Sequence, residues 1–444
     1  MNIKDKDTTL KNKIEKISGQ EILDLWKTTQ HSTEVYIHSP FCKEQCTYCT
    51  FKGTIFNKNI YKQYYEEYLP KMIEFYNDIL SSPQINGYFF GGGTPTLMSP
   101  SEMRNLFDLI PNFKSTKNKL MEMHVCDWNR EQLDVLREYN FNNVMVCVQT
   151  FDRDALKKYK RRVPKDTAIV CEHIRYANSI GLKTNSDILY LDTGNITKDL
   201  DRLMVDIQLL ADNEISGMNI TTIFNDEGKF DNIVTAAVEL FLNKNPKYAL
   251  YNNFARMGIG VDLPIAYKTK NDGTGPRVFS LRIIKRDVDP KEMFLWIDQL
   301  DEMDKCNFLP ELSNVLGIGS YNNYKDTFST IEDRIEYKEV GNLNSPEFYI
   351  TYNKLNYKIK DMIASFYEEL NSLIGEEPPD GIEFHFSSRV YTDNGVGVNT
   401  QNKKVTRKLN VQVRFPKSVN NHIHSNYRKK LDIIWPKVEE YLNK

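Results

Sequence analysis

The chain has 444 residues, with 58 lysines and arginines against 60 aspartates and glutamates, 40% apolar and 12% aromatic residues, and seven cysteines. That composition can build a packed core and excludes a mainly disordered chain, and the net charge of −2 argues against whole-chain nucleic-acid binding. It has no apolar run of about 18 residues to span a membrane and no apolar stretch after the lysine-bearing N-terminus to act as a secretory signal, and its cysteines are too sparse and odd in number for a disulfide framework. The length exceeds what one core supports, so a large domain of roughly 200–300 residues plus a smaller part is expected, in a cytoplasmic enzyme.

Residues 1–30 read as a charged lead-in with an amphipathic helix from Ile17 to Trp26. From Glu34 to about Phe224, short β-branched or aromatic runs alternate with segments of helical period. The runs are EVYIH at 34–38, YFFGG at 88–92, LMEMHV at 120–125, VMVCVQTF at 144–151, DILYL at 187–191 and GMNITTIF at 217–224. The helical segments are Asn59–Leu80, Pro100–Leu109, Arg130–Glu138, Asp166–Ser179 and Ile196–Ala211. This rhythm predicts an α/β fold, a parallel sheet with helices outside, open or curled into a partial barrel of six βα units. Chemistry in such barrels gathers at the C-terminal strand ends.

Beyond residue 225 the rhythm weakens. ARMGIG at 255–260 and VLGIGS at 315–320 read as glycine-bearing turns, 346–374 as a helix, and EEPPDG at 376–381 as a boundary. GIEFHF, GVGVNT and KLNVQVRF then alternate like strands around a TDNG turn. A basic cluster (Lys403, Lys404, Arg407, Lys408, Arg414, Lys417, Arg428, Lys429, Lys430) marks this segment, as a solvated face or as a wall for an anionic partner. The expected division is a lead-in (1–30), a barrel (31–230), an extension (231–345) and a C-terminal α+β part (346–444).

Three of the seven cysteines fall within eight residues: Cys42, Cys46 and Cys49, in YIHSPFCKEQCTYCTF. They sit in a loop just past a predicted strand. A zinc site wants four ligands, commonly two C-x2-C pairs, and no second pair exists, although His38 lies nearby. Three closely spaced thiolates suit three corners of a 4Fe–4S cluster with one iron left open. Zinc and three incidental buried cysteines are the competing readings. Cys126, Cys147, Cys171 and Cys306 are scattered and read as small buried apolar residues.

The C-x3-C-x2-C spacing resembles the radical S-adenosylmethionine (SAM) superfamily. Its flanks resemble the branch of oxygen-independent coproporphyrinogen dehydrogenase-like proteins, which includes heme chaperones and class C radical methyltransferases. The residues carrying the resemblance are Tyr36-Ile37-His38-Ser39-Pro40-Phe41-Cys42, Tyr48 before the third cysteine, Gly91-Gly92-Gly93-Thr94-Pro95-Thr96, VCVQTFDRDALKKYKR with Gln149 and Arg161, Asp187 in SDILY, YNNFAR at 251–256, and VLGIGS. Together they run from about 34 to 340.

The resemblance implies that Cys42, Cys46 and Cys49 hold a 4Fe–4S cluster and that the amino and carboxylate groups of SAM chelate its open iron. Gly91, Gly92, Gly93 and Thr94 would grip the amino-acid part of SAM, since a backbone without Cβ approaches a ligand closely. Tyr36 and Tyr48 would lie near the cluster or SAM. Glu122 takes the place of the strand-end glutamate, with His124 or Asp127 as alternatives if the register slips. Gln149 and Arg161 would contact SAM's ribose or carboxylate. Asp187 would bind a ribose hydroxyl or place a second ligand. The implied partners are a small-molecule substrate and a flavodoxin- or ferredoxin-type electron donor.

Departures separate the branches. The chaperone's His-Asn-x-x-Tyr-Trp motif is absent, with no histidine between His173 and His385. The decarboxylase's extra cysteine is replaced by Phe51, and its Tyr-Pro-rich arm is missing. The Gly-Leu-Pro expected after the SDILY strand is replaced by Leu191-Asp192-Thr193-Gly194. The expectation is a radical SAM enzyme with one or two SAM molecules. A second SAM would act as carbon donor for methylation, methylene transfer or cyclopropanation of a non-porphyrin sp2 carbon. Direct hydrogen abstraction from substrate and heme trafficking are the alternatives.

Overall fold

The structure is a computed structural model that describes residues 15–17, 19–28, 33–49, 54–222, 230–259, 278–289, 315–318, 328–329, 335–338, 347–352, 383–392 and 405–415. Six strands follow the predicted runs: β1 (Thr33–Ser39), β2 (Ile85–Gly92), β3 (Asn118–His124), β4 (Asn143–Gln149), β5 (Lys183–Tyr190) and β6 (Gly217–Thr222). They pair in parallel in chain order. Each is followed by helical structure: Lys58–Gln63 through Leu69–Phe75, then Pro100–Leu109, Arg130–Glu138, Arg153–Lys158 with Thr167–Ser179, Ile196–Asp212 and Asp231–Lys244.

The helices start where side chains satisfy their free N–H groups. Ser99 with Glu102, and Asn129 with Gln132, form reciprocal capping boxes. Asp166 caps Thr167–Ser179. The predicted helix 59–80 breaks. A π-turn at Tyr64–Tyr68 separates Lys58–Gln63 from Leu69–Phe75, and Asn77–Leu80 follows. The insertion points Tyr64 and Tyr65 at the loop after β1, a common use of such bulges.

Alternation gives the sheet two faces. Val35, Ile37, Tyr88, Phe90, Met121, Met123, Val144, Val146, Val148, Ile188, Met218 and Ile220 point outward into one apolar core with the helices. The intervening positions, Glu122, His124, Cys147, Asp187 and Asn219 among them, face the other way and are half-buried.

The later chain corrects several expectations. The described parts of ARMGIG and VLGIGS, residues 255–259 and 315–318, are strand segments, in β7 (Tyr248–Ile259) and β9 (Val315–Ile318). β8 (Val278–Lys285) has no counterpart among the predicted elements. The sheet has eleven strands in the order β9-β1-β2-β3-β4-β5-β6-β8-β7-β11-β10, where β10 is Glu383–Thr392 and β11 is Val405–Phe415. β9 joins β1 in parallel, whereas β8, β7, β11 and β10 continue the far edge antiparallel. Among the described residues the two edges do not meet, so the barrel stays open.

GIEFHF begins two residues before β10, and KLNVQVRF lies inside β11. The predicted helix 346–374 opens as a strand, Glu347–Tyr352, in a small antiparallel sheet with Ile335–Lys338, Phe328–Ser329 and Glu15–Ile17. Its remainder lies outside the described residues, as do GVGVNT, EEPPDG and the side chains of the basic cluster. Ile17 ends that short strand, and the lead-in helix runs Gly19–Thr28. Among the described residues no helix is long and apolar enough to cross a membrane.

Candidate active site

The C-terminal ends of β1 to β5 carry the predicted site residues. Past β1, Phe41 is fully buried and packs against Tyr61, Tyr64 and Tyr65 at ring-centroid distances of 5.4, 5.5 and 6.2 Å. Tyr64 donates to the carbonyl of His38 at 2.6 Å, and the Tyr65 and Ser39 hydroxyls lie 2.6 Å apart. This aromatic anchor fixes the chain just before Cys42. The cysteine loop then bonds to its surroundings: Phe56 N–H to Cys42 O at 2.8 Å, Cys49 N–H to Cys46 O at 3.2 Å, and Thr47 N–H to Tyr159 O at 3.0 Å.

Cys42, Cys46 and Cys49 are not bridged as disulfides and line one open cavity. Tyr48, Gly93, Thr94, His124, Arg161 and Arg162 share its wall. Thr94 Oγ1 donates to Cys42 Sγ at 3.6 Å, and Arg161 Nη1 to Cys46 Sγ at 3.8 Å. Arg161 also donates to the carbonyl of Cys147 and is 8% exposed. Among the described residues no three His, Cys, Asp or Glu side chains converge as ligands of one metal ion. A single zinc ion needs that convergence. A four-iron cluster takes each thiolate on a different iron and suits thiols spread around a cavity. Three thiols with two donors to sulfur, one of them the Arg161 guanidinium, therefore fit a 4Fe–4S cluster better than zinc.

The glycine run follows β2. Gly93 N–H donates to Ser39 O at 2.6 Å, and a Cβ at Gly93 would stand 2.5 Å from Phe41 O. Gly92 has φ +104°, and its Cβ would fall 2.3 Å from the His38 ring, so only glycine fits. Gln132, inside the Arg130–Glu138 helix, donates to Thr96 O at 3.0 Å and Met98 O at 2.8 Å and holds this turn in place. Gly93 and Thr94 reach the cavity wall, whereas Gly91 and Gly92 border Glu122.

Glu122 accepts from Gly92 N–H at 3.1 Å. Burial, reinforced by the neighbouring Asp187 charge, pushes its carboxyl up to about 8. Asp187 is likewise raised by burial, opposed by the hydrogen bond from Asn219 Nδ2 at 3.0 Å and by Arg282 and Arg161. Asp187, Asn219 and Arg282 are register partners across β5, β6 and β8. Gln149 closes β4 with φ +66° at a register shift, a left-handed backbone that L-residues seldom adopt. Asp206 holds the chain just beyond it by accepting from Phe151 N–H at 2.9 Å.

Tyr36 stands apart from the cavity. It is 1% exposed, with its hydroxyl 2.7 Å from His38 Nδ1 and its ring against Phe89. Burial lowers the His38 pKa to about 3, so the ring is neutral. Tyr48 lines the cavity beside Tyr159. Glu122 and His124 both face inward, two residues apart on β3, with His124 on the cavity wall and Glu122 against Gly92, and Asp127 lies beyond the strand. Sequence reasoning missed Asn219, Arg282, Arg162 and the inward Cys147. The signal available for Asn219 and Arg282 was a polar residue between apolar neighbours, Met218 and Ile220 for the first and Leu281 and Ile283 for the second. The Leu191–Gly194 loop is held by Asp199, which accepts from Thr193 N–H at 2.8 Å and Thr193 Oγ1 at 2.7 Å and pairs with Arg202 at 3.0 Å.

Residues 36–207 match the profile of the radical SAM superfamily. The chain therefore carries a radical SAM domain over that segment. Its relatives lie in the coproporphyrinogen oxidase-like branch. It is 33% identical over 174 residues to the heme chaperone HemW of Bacillus subtilis (strain 168), covering 37% of this chain and 44% of that protein. It is 30% identical over 169 residues to the oxygen-independent coproporphyrinogen III oxidase of Pseudomonas aeruginosa, 36% of each chain. The match thus spans less than half the length of these curated relatives. The coproporphyrinogen III oxidase HemN of Escherichia coli superposes with a TM-score of 0.54 at 14% identity, over 96% of this chain and 93% of that one, which establishes the shared fold.

Proposed function

We propose that the protein is a radical SAM enzyme in which Cys42, Cys46 and Cys49 hold the cluster. The observation that carries this reading is the set of three cysteine thiols on one cavity, inside the segment that matches the superfamily. When bound and reduced, a 4Fe–4S cluster supplies an electron that breaks the C5′–S bond of SAM and releases a 5′-deoxyadenosyl radical. Thr94 and Arg161 stabilise sulfur charge by donating to it. Gly93 and Thr94, on the cavity wall, would offer backbone to the amino-acid part of SAM, and Gln149, Glu122 and Asp187 would offer polar groups to its ribose. The Glu122 carboxyl, raised toward neutrality, can donate as well as accept a hydrogen bond. A flavodoxin- or ferredoxin-type donor supplies the electron, in a reducing cytoplasm.

The finer reading is that a second SAM is the carbon donor, and that an sp2 carbon of a non-porphyrin small molecule is methylated, methylenated or cyclopropanated. Phe51, the missing Tyr-Pro-rich arm and the rebuilt Leu191–Gly194 loop support a substrate other than porphyrinogen. Anaerobic turnover with methyl-deuterated SAM tests it. Deuterium in 5′-deoxyadenosine supports transfer from a second SAM. Unlabelled 5′-deoxyadenosine alongside product would leave direct abstraction from substrate.

Heme trafficking is the second reading, favoured by the likeness to heme chaperones. A sharp Soret band on adding heme to the cluster-loaded protein would support it, against the broad, reductant-bleached shoulder of a cluster alone.

A further inference from the structure

The cysteine loop carries charge of its own. Lys43 follows Cys42 directly, Glu44 comes next, and Arg162 follows the Arg161 that touches Cys46. All three lead to one carboxylate. Asp127, whose side chain is only 3% exposed, accepts from Lys43 Nζ at 2.7 Å and from Arg162 Nη1 at 2.9 Å, and its second oxygen is bonded by Arg162 Nη2. Arg162 Nε in turn stands 3.5 Å from Glu44 Oε1. His124 Nδ1 lies 3.6 Å from Asp127 Oδ2, but it also accepts from Cys126 N–H at 3.1 Å, which fixes the ring as a neutral acceptor there. The bidentate Arg162–Asp127 pair is the strong, oriented kind of ion pair. With its charges largely removed from water, breaking it leaves unpaired cations.

The topology gives this network its meaning. Asp127 belongs to the turn after β3, Lys43 and Glu44 to the loop after β1, and Arg162 to the loop after the Arg153–Lys158 helix. One carboxylate therefore ties together the two loops that present Cys42, Cys46 and Arg161, and three of the tied residues, Lys43, Glu44 and Arg162, line the cavity. A tie serving only the fold would have no need to reach the thiol loop.

We propose that Asp127 is a positioning residue for the iron–sulfur cluster: by anchoring Lys43 and Arg162 it fixes the cysteine loop and sets the charge around the thiolates. The inference rests on Cys42, Cys46 and Cys49 being the cluster ligands. Partners of a ligand shell typically contribute 10–100-fold in metal affinity.

The test compares wild type with Asp127→Asn, Asp127→Glu, Lys43→Met and Cys46→Ala, each reconstituted anaerobically with iron and sulfide. Iron release to a chelator and the cluster's midpoint potential are measured. Asp127→Asn is expected to bind iron but release it roughly tenfold faster. Its potential should shift positive, because a negative charge has gone while two cations remain. Asp127→Glu should recover most of both, and Lys43→Met, which removes a half-exposed partner and keeps the Arg162 pair, should release iron at an intermediate rate. If Asp127→Asn does not fold, the Lys43→Met release rate decides. Wild-type release and potential in both variants, with iron lost in Cys46→Ala, would overturn the role of Asp127 and leave the ligand assignment standing. Iron retained at wild-type level in Cys46→Ala would overturn both.

Discussion

The two faces of the parallel sheet are made by the same six strands and obey opposite rules. The outward face is Val, Ile, Met, Phe and Tyr, closed by helices and almost free of polar atoms. The inward face puts Glu122, His124, Cys147, Asp187, Asn219 and, from β8, Arg282 side by side, each within reach of another polar or titratable group. Burial of apolar area stabilises the first face and shifts carboxyl and thiol pKa values on the second. Adjacent residues in one strand therefore answer to different chemistry, and mutations can separate them.

The largest contrast is expected from Cys46→Ala. Cluster iron and all SAM cleavage should vanish while circular dichroism and the melting curve stay close to wild type, since in the proposed reading the thiol, which lines the cavity, serves to hold the cluster. Phe90→Ala should do the reverse. Phe90 is 1% exposed and packs on Phe107, Phe113 and Phe141, so about 3–5 kcal/mol of stability is at stake in denaturant titration, with iron content per folded chain unchanged.

A smaller effect should distinguish two glycines that share a positive φ. Gly92→Ala meets both backbone strain and the His38 ring, whereas a Cβ at Gly181 meets nothing closer than Arg137 at 3.7 Å. Each should lose about 1–3 kcal/mol from strain. Only Gly92→Ala should also weaken SAM binding in calorimetry.

The last contrast concerns pH. A carboxyl whose folded pKa is about 8 holds a proton that the unfolded chain gives up near 4.5. Its contribution is complete below pH 4.5 and is lost as pH rises toward 8, by at most about 1.4 kcal/mol per pH unit. The melting temperature of Glu122→Gln should therefore fall less than that of wild type between pH 5 and 8. Parallel curves would place the raised pKa elsewhere, among Glu34 and Asp206, both pushed to about 7, and Asp187, also raised by burial.

What was legible in the sequence follows this division. Outward-facing strands announce themselves by apolar alternation, and β1 to β6 were placed to within a few residues at each end. Cys42, Cys46, Cys49, Gly93, Thr94 and Arg161 were legible because their spacing is local and their chemistry is unusual. Tyr36 looked like a site residue from its place in the motif, but its hydroxyl is turned to His38 and away from the cavity. Arg282 and Asn219 were missed because their meaning depends on register between strands distant in sequence. β7 and β9 were taken for turns because glycine was read as punctuation, although each strand pairs along its length with β8 or β1. The Tyr64–Tyr68 bulge was hidden because nothing in its helical period marks an extra residue in the turn.

The contacts that shape the thiol loop also impose an order of assembly. Cys46 meets Arg161 across 115 residues, Thr47 meets Tyr159 across 112, and Lys43 meets Asp127 across 84. During synthesis the cysteines therefore emerge long before their supports, and the loop can take its shape only once β3, β4 and the Arg153–Lys158 helix have docked. Iron and sulfide would then enter a nearly finished domain, and a chain truncated before residue 161 should fail to take up a stable cluster even with all three thiols present.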